Sequence, residues 1–206
     1  MNVLFVGSHA DDCEVSSGGT ISRLWKEGAA IDILLICNLS RIKDISLRIE
    51  EAEKAAKVLG ADLEVIDLQE SRFVGVPKTE LVSKLDEYFS KKPYERVFVP
   101  CHCDSHQDHE FVARVLFSVC RKNTCGLLAY EAAIPSGIVP NPFILNYFVD
   151  ISDEMDSKLE ALHCHKSQIE AYGEGWISSI VARNRFWGEK FKRKYIEAFQ
   201  AIKIIV

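Results

Sequence analysis

Two short stretches of this chain concentrate the residue types that bind divalent cations and move protons. The first, His9-Ala10-Asp11-Asp12-Cys13-Glu14, places one imidazole and three carboxylates within six residues. Burying such a set unpaired is costly, and a divalent cation offsets that cost by drawing on imidazole nitrogen and carboxylate oxygen together. Asp11 and Asp12 are adjacent and do not easily point the same way, so one can meet a metal while the other faces a bound water. The second stretch, Cys101-His102-Cys103-Asp104-Ser105-His106-Gln107-Asp108-His109-Glu110, holds three of the six histidines. At a helix start, His106 and His109 can both face one cleft. Asp108 beside them can accept an imidazole N–H and so fix tautomer and basicity.

Plainer readings compete with this chemistry. The first stretch also suits a solvated acidic loop ahead of a helix capped near Ser17 or Thr20. Gly18-Gly19 matches neither the dinucleotide nor the phosphate-loop spacing, which removes nucleotide binding. A structural zinc site through Cys101, His102 and Cys103 lacks the usual cysteine spacing and a second ligand pair. A nucleophilic cysteine at 13, 101 or 103 has no local signature behind it.

Both stretches sit where strands must end. Apolar runs of strand length cover Val3–Val6, Ile31–Cys37, Leu63–Leu68 and Arg96–Val99, and a further strand is expected at Gly126–Tyr130. Helical periodicity lies between them: Thr20–Glu27, Leu47–Leu59 closed by Gly60, a helix marked by Leu81, Leu85, Tyr88 and Phe89, and Phe111–Val119. Strands apolar throughout and alternating with helices predict an α/β fold, a Rossmann-like parallel sheet with helices on both faces. In such sheets ligands bind beyond the carboxyl ends of the strands, which is where both stretches fall. After Glu131 the texture changes: loop at 134–142, a short strand at Tyr147–Ile151, helix over Asp153–Glu170, then aromatic and β-branched residues over Lys194–Ile205. The expectation is one domain over 1–206, with a core to about residue 131 and a C-terminal elaboration.

The bulk numbers narrow the partners. A net charge of −5 argues against nucleic acid and anionic membranes. No run approaches the ~20 apolar residues of a membrane span, and the N-terminus does not read as a signal peptide. Seven cysteines, mostly inside apolar runs, suit free thiols in a reducing cytoplasm.

At these same residues the chain resembles the LmbE/PIG-L family of metal-dependent de-N-acetylases, which act on N-acetylglucosamine conjugates. The family's H-P-D-D opening and later Gly-Gly-Thr correspond to His9-Ala10-Asp11-Asp12 and Gly18-Gly19-Thr20. Its D-x-H-x-D-H motif is Asp104-Ser105-His106-Gln107-Asp108-His109. The R-x-x-E, A-A-x-x-L-G, D-I-S…K…H-x-S-Q and Y-A-E-A-F blocks are similar to segments starting at Arg48, Ala55, Asp150 and Tyr195. Departures are Ala10 for the usual Pro, Ser16 and Ser17 for the common Gly and Cys, and Asn38-Leu39-Ser40-Arg41 in place of a T-x-G-E loop.

The resemblance implies that His9, Asp12 and His109 hold one divalent metal ion, zinc first, with ferrous iron or another divalent ion accepted by the same set. It makes Asp11 the general base and His106 the residue that stabilises the oxyanion or protonates the departing amine. Asp108 is then expected to orient His106 and raise its pKa. Arg48 and Glu14 map to the substrate side, although Arg48 can instead pair with Glu51 across one helical turn and Glu14 can cap a helix. His165, Ser167 and Gln168 border the site or, for His165, serve structure; His102 is read as a supporting group. The implied activity is metal-dependent removal of an N-acetyl group from a small amino-sugar conjugate. Rival readings are a non-sugar N-acyl substrate and a catalytically silent binding protein on the same fold.

Overall fold

The computed structural model describes residues 1–37, 44–68, 78–131 and 143–205. The expected loop at 134–142 and the departure at 38–41 lie outside these. Five strands run parallel: β1 (Asn2–Gly7), β2 (Ala30–Cys37), β3 (Asp62–Asp67), β4 (Arg96–Pro100) and β5 (Gly126–Tyr130). They alternate with α1 (Asp12–Lys26), α2 (Ile45–Leu59), α3 (Lys78–Lys91) and α4 (Gln107–Cys120). Two more strands, β6 (Tyr147–Asp150) and β7 (Ile196–Lys203), complete a seven-stranded sheet ordered β3-β2-β1-β4-β5-β7-β6. β7 is antiparallel to both its neighbours, so the C-terminal elaboration extends the same sheet.

Alternation along β1 shows why the strands read as continuous apolar runs. Val3 and Phe5 join the core with Ile21 of α1 and Ala52, Ala55 and Leu59 of α2. Leu4 and Val6 join the opposite core with Leu81 and Leu85 of α3 and Val112 and Leu116 of α4. With both faces covered, neither set can be polar.

The order places β1 between β2 and β4, so the chain turns away in opposite directions at the ends of β1 and β4. That is the topological switch point, where an open α/β sheet leaves a crevice. Gly60 closes α2 at φ +76, and a Cβ there would come within 2.2 Å of the Trp25 ring, so glycine is required twice over.

Two boundaries differ from the sequence reading. α1 begins at Asp12, not near Ser17, which makes Cys13–Gly19 helical. The helix expected over Asp153–Glu170 is two, α5 (Met155–Cys164) and α6 (Lys166–Tyr172), broken at His165 with ψ +62. α7 (Gly175–Lys190) follows. No helix among the described residues is long and apolar enough to cross a membrane.

Candidate metal centre

β1 delivers Gly7 to the crevice, and the backbone turns at once. A Cβ on Gly7 would meet Leu35 Cδ2 at 3.0 Å, the His9 carbonyl at 3.1 Å and the Asp12 Cβ at 3.3 Å, so a side chain there would press on the turn. The Asp12 N–H donates to the His9 carbonyl at 3.3 Å. The Asp12 carboxylate reaches back, its Oδ2 accepting from the Ser8 N–H at 2.8 Å and the His9 N–H at 3.0 Å. The turn is thus locked without the proline usual at position 10. From β4, the chain reaches α4 with His106 as its N-cap: His106 Nδ1 accepts from the Asp108 N–H at 3.3 Å. The Ser8 hydroxyl donates to the Asp108 carbonyl at 3.3 Å and ties the two segments together.

Three donor atoms converge there. His9 Nδ1 lies 3.1 Å from His109 Nε2, His109 Nε2 lies 3.3 Å from Asp12 Oδ2, and His9 Nδ1 lies 3.6 Å from the same oxygen. Ligands about 2.0–2.1 Å from a tetrahedral metal ion stand about 3.3–3.4 Å apart, so these spacings fit a cation at their centre. Each ring also has a carboxylate on its other nitrogen. His109 Nδ1 is 2.7 Å from Asp104 Oδ2, and His9 Nε2 is 3.2 Å from Asp108 Oδ2. Carboxylate partners of this kind fix tautomer and raise ligand basicity.

The electrostatics follow. Burial lowers the His9 and His109 pKa values, but Asp12 with Asp108 or Asp104 more than offsets it, holding them at about 9 and about 10 without metal. Burial raises the Asp12 carboxyl, and the two imidazoles reverse that, pulling it well below the usual range.

Asp108 corrects an expectation. Its carboxylate is 4.0 Å from His106 Nδ1 and 3.2 Å from His9 Nε2, so it serves His9. Asp108 does act to raise the His106 pKa, as expected, but burial and then the charges of His9 and His109 outweigh it, so the net shift is downward. His106 Nδ1 accepts a backbone N–H, which leaves the proton of a neutral ring on Nε2. The sequence reading also gave Asp104 no role. The signal was present in the motif it begins, but spacing alone does not say which carboxylate meets which ring.

Asp11 has a different partner from Asp12: Arg48 Nη2 donates to its Oδ1 at 3.3 Å. The alternative Arg48–Glu51 pair is replaced, since Glu51 is buried and accepts from the Ser167 N–H at 2.9 Å and hydroxyl at 2.5 Å. Glu14 is closed off from solvent, 3.7 Å from the buried His165 Nε2. His106 is half-exposed, its ring centroid 4.6 Å from that of His9 and 4.7 Å from that of His109. His9, His106 and His109 can therefore also be grouped as a three-histidine set, their donor atoms within 4.8 Å of one another. The tighter convergence includes Asp12.

A family model described as "PIG-L: GlcNAc-PI de-N-acetylase" matches residues 4–120, more than half of the chain. The diacetylchitobiose deacetylase of Thermococcus kodakarensis is 26% identical over 97% of this chain and 82% of its own length. Among solved structures, the N,N'-diacetylchitobiose deacetylase of Pyrococcus horikoshii superposes with a TM-score of 0.81 at 22% identity, covering 98% of this chain and 84% of that one. The 4-carboxy-2-hydroxymuconate hydratase GalB of Pseudomonas putida also scores 0.81, at 20% identity over 100% and 97% of the two chains.

Proposed function

The chain belongs to the GlcNAc-PI de-N-acetylase (PIG-L) family, and from that premise we propose that it is a metal-dependent N-deacetylase of a small amino-sugar conjugate. The observation that carries this reading is the convergence of His9 Nδ1, His109 Nε2 and Asp12 Oδ2 within 3.1–3.6 Å. These three are proposed to hold one divalent ion, zinc first. When bound, that ion would supply Lewis acidity toward the amide carbonyl and lower the pKa of a water toward ~7.

The remaining chemistry falls to this chain's own side chains. Asp11 is the base: Arg48 anchors its Oδ1 and leaves Oδ2 to take the proton of the attacking water. His106 acts as a neutral ring whose Nε2–H donates to the carbonyl oxygen as negative charge develops there. This differs from an imidazolium acid, which the acceptor role of Nδ1 disfavours. The proton held by Asp11 then goes to the departing amine. Asp104 and Asp108 orient His109 and His9. With Glu14 enclosed, Arg48 is the better placed of the two substrate-side residues to meet hydroxyl or anionic groups.

The test is primary-amine release from N-acetylglucosamine, diacetylchitobiose and non-sugar N-acetyl amines, each with and without chelator. Chelator-sensitive release that favours the sugars supports the reading. Preference for a non-sugar amine would move the leaving group, and silence across the panel after metal reloading would leave only a binding protein.

A further inference from the structure

Between β4 and α4, three residues and one residue before the carboxylate that holds His109, two thiols lie against each other. Cys101 Sγ and Cys103 Sγ are 2.7 Å apart, and the Cys103 N–H donates to Cys101 Sγ at 3.4 Å. Cys101 is fully buried, whereas Cys103 is partly open to solvent. A His102 nitrogen lies within 4.8 Å of both sulfurs, and His102 Nδ1 is buried with no hydrogen-bond partner among the described residues. Two thiolates on a tetrahedral zinc, each about 2.3 Å from the ion, stand about 3.8 Å apart. The 2.7 Å gap is too short for that and lies nearer the ~2.05 Å of a sulfur–sulfur bond.

We propose that Cys101 and Cys103 form a thiol–disulfide switch that controls how firmly Asp104 holds His109. The oxidant is a small-molecule disulfide of the glutathione type. The Cys103 thiolate attacks one sulfur of that disulfide, forming a mixed disulfide and expelling one small thiolate. Cys101 then loses its proton, with His102, whose Nδ1 has no hydrogen-bond partner among the described residues, as a base within reach, and attacks Cys103 Sγ, expelling the second small thiolate. Two protein thiols are oxidised and one small disulfide is reduced to two thiols.

Closing the bond draws the sulfurs together by about 0.7 Å within the turn that positions the next residue. The Asp104 N–H donates to the Cys101 carbonyl at 3.4 Å, and its carboxylate accepts from the His106 N–H at 2.9 Å while holding His109 Nδ1 at 2.7 Å. Oxidation at 101 and 103 therefore acts on the group that orients one proposed ligand.

The experiment equilibrates the full metal-loaded chain in glutathione buffers of increasing oxidised fraction, then quenches, alkylates and digests with trypsin. Val97–Arg114 emerges as one piece carrying these two cysteines and no others. The expected result is a piece two hydrogens lighter, unlabelled by alkylation and restored by dithiothreitol, with metal affinity falling about tenfold or more in step. The mass readout is independent of the deacetylase reading, so the two can fail separately. Cys103→Ser, at the more exposed thiol, should keep its metal in every buffer, with circular dichroism confirming the fold. Two alkylatable thiols in fully oxidised buffer, or a stable glutathione adduct on Cys103, would overturn the switch. Disulfide closure with metal affinity unchanged would overturn its coupling to the site.

Discussion

Asp11 and Asp12 are chain neighbours with opposite surroundings. Asp12 faces two imidazoles and two backbone N–H groups, whereas Asp11 faces Arg48. Asp11→Asn should therefore keep its metal and lose about 10²-fold or more in kcat, measured by amine release beside elemental analysis. Near-normal turnover would remove Asp11 from the mechanism. Asp104 supports a proposed ligand without being one, so Asp104→Asn should weaken metal affinity by roughly 10–100-fold. A competition titration against a chelating dye reads this, and unchanged affinity would mean that the 2.7 Å contact to His109 is incidental. At this scale the sequence exposed residue types and spacing well: the stretches at 9–12 and 106–109 do meet. It did not expose which carboxylate serves which ring. That depends on ring orientation across a junction of two loops 100 residues apart, as in the Ser8–Asp108 contact. The sign of the His106 shift was missed because its burial, the largest cause, and the charge of His9 beside it come with the fold.

Among the elements, α1 carries the most. Its first turn bears Asp12, and its middle is gripped from the C-terminal part of the chain. Glu197 on β7 accepts from the Gly19 N–H at 3.0 Å, the Thr20 N–H at 2.7 Å and the Thr20 hydroxyl at 2.6 Å. Lys158 of α5, fully buried, pairs with Glu197 at 2.5 Å and donates to the Val15 carbonyl at 3.0 Å. Removing one member of a buried pair strands the other charge, so Glu197→Gln should cost about 3–5 kcal/mol in denaturant unfolding. A loss below 1 kcal/mol would show that the network is not anchoring α1. The buried parallel strands and α2 to α4 were legible because apolar runs and 3.6-residue periodicity are local signals. The antiparallel insertion of β7 between β5 and β6 was not, since only long-range pairing shows it. The start of α1 was hidden because its first two turns bury polar residues such as Glu14, Ser16 and Ser17, which read as loop.

At the scale of the whole molecule, the centre ties stability to pH. In the metal-free protein His9 and His109 are raised from an ordinary 6.5 to about 9 and about 10. The folded state then binds extra protons, so this stabilisation is fully present below about pH 6.5 and is lost as pH rises through 9 to 10. Metal-free protein should show a falling melting temperature across that window, while metal-loaded protein, whose imidazoles are unprotonated, should show a flatter profile. Parallel profiles would place the titration elsewhere. The scaffold itself does not choose the reaction, because a hydratase and a deacetylase superpose on it equally well, each with a TM-score of 0.81. The chemistry therefore turns on which atoms hold the ion, and the three-histidine grouping competes directly with the set of His9, Asp12 and His109. Elemental analysis of His109→Ala and His106→Ala, purified and dialysed side by side with the parent chain, decides between them. Ligation by His9, Asp12 and His109 predicts about one equivalent of divalent metal in the parent and in His106→Ala, and a stoichiometric loss in His109→Ala. Loss of the metal from His106→Ala, or full retention in His109→Ala, would contradict it.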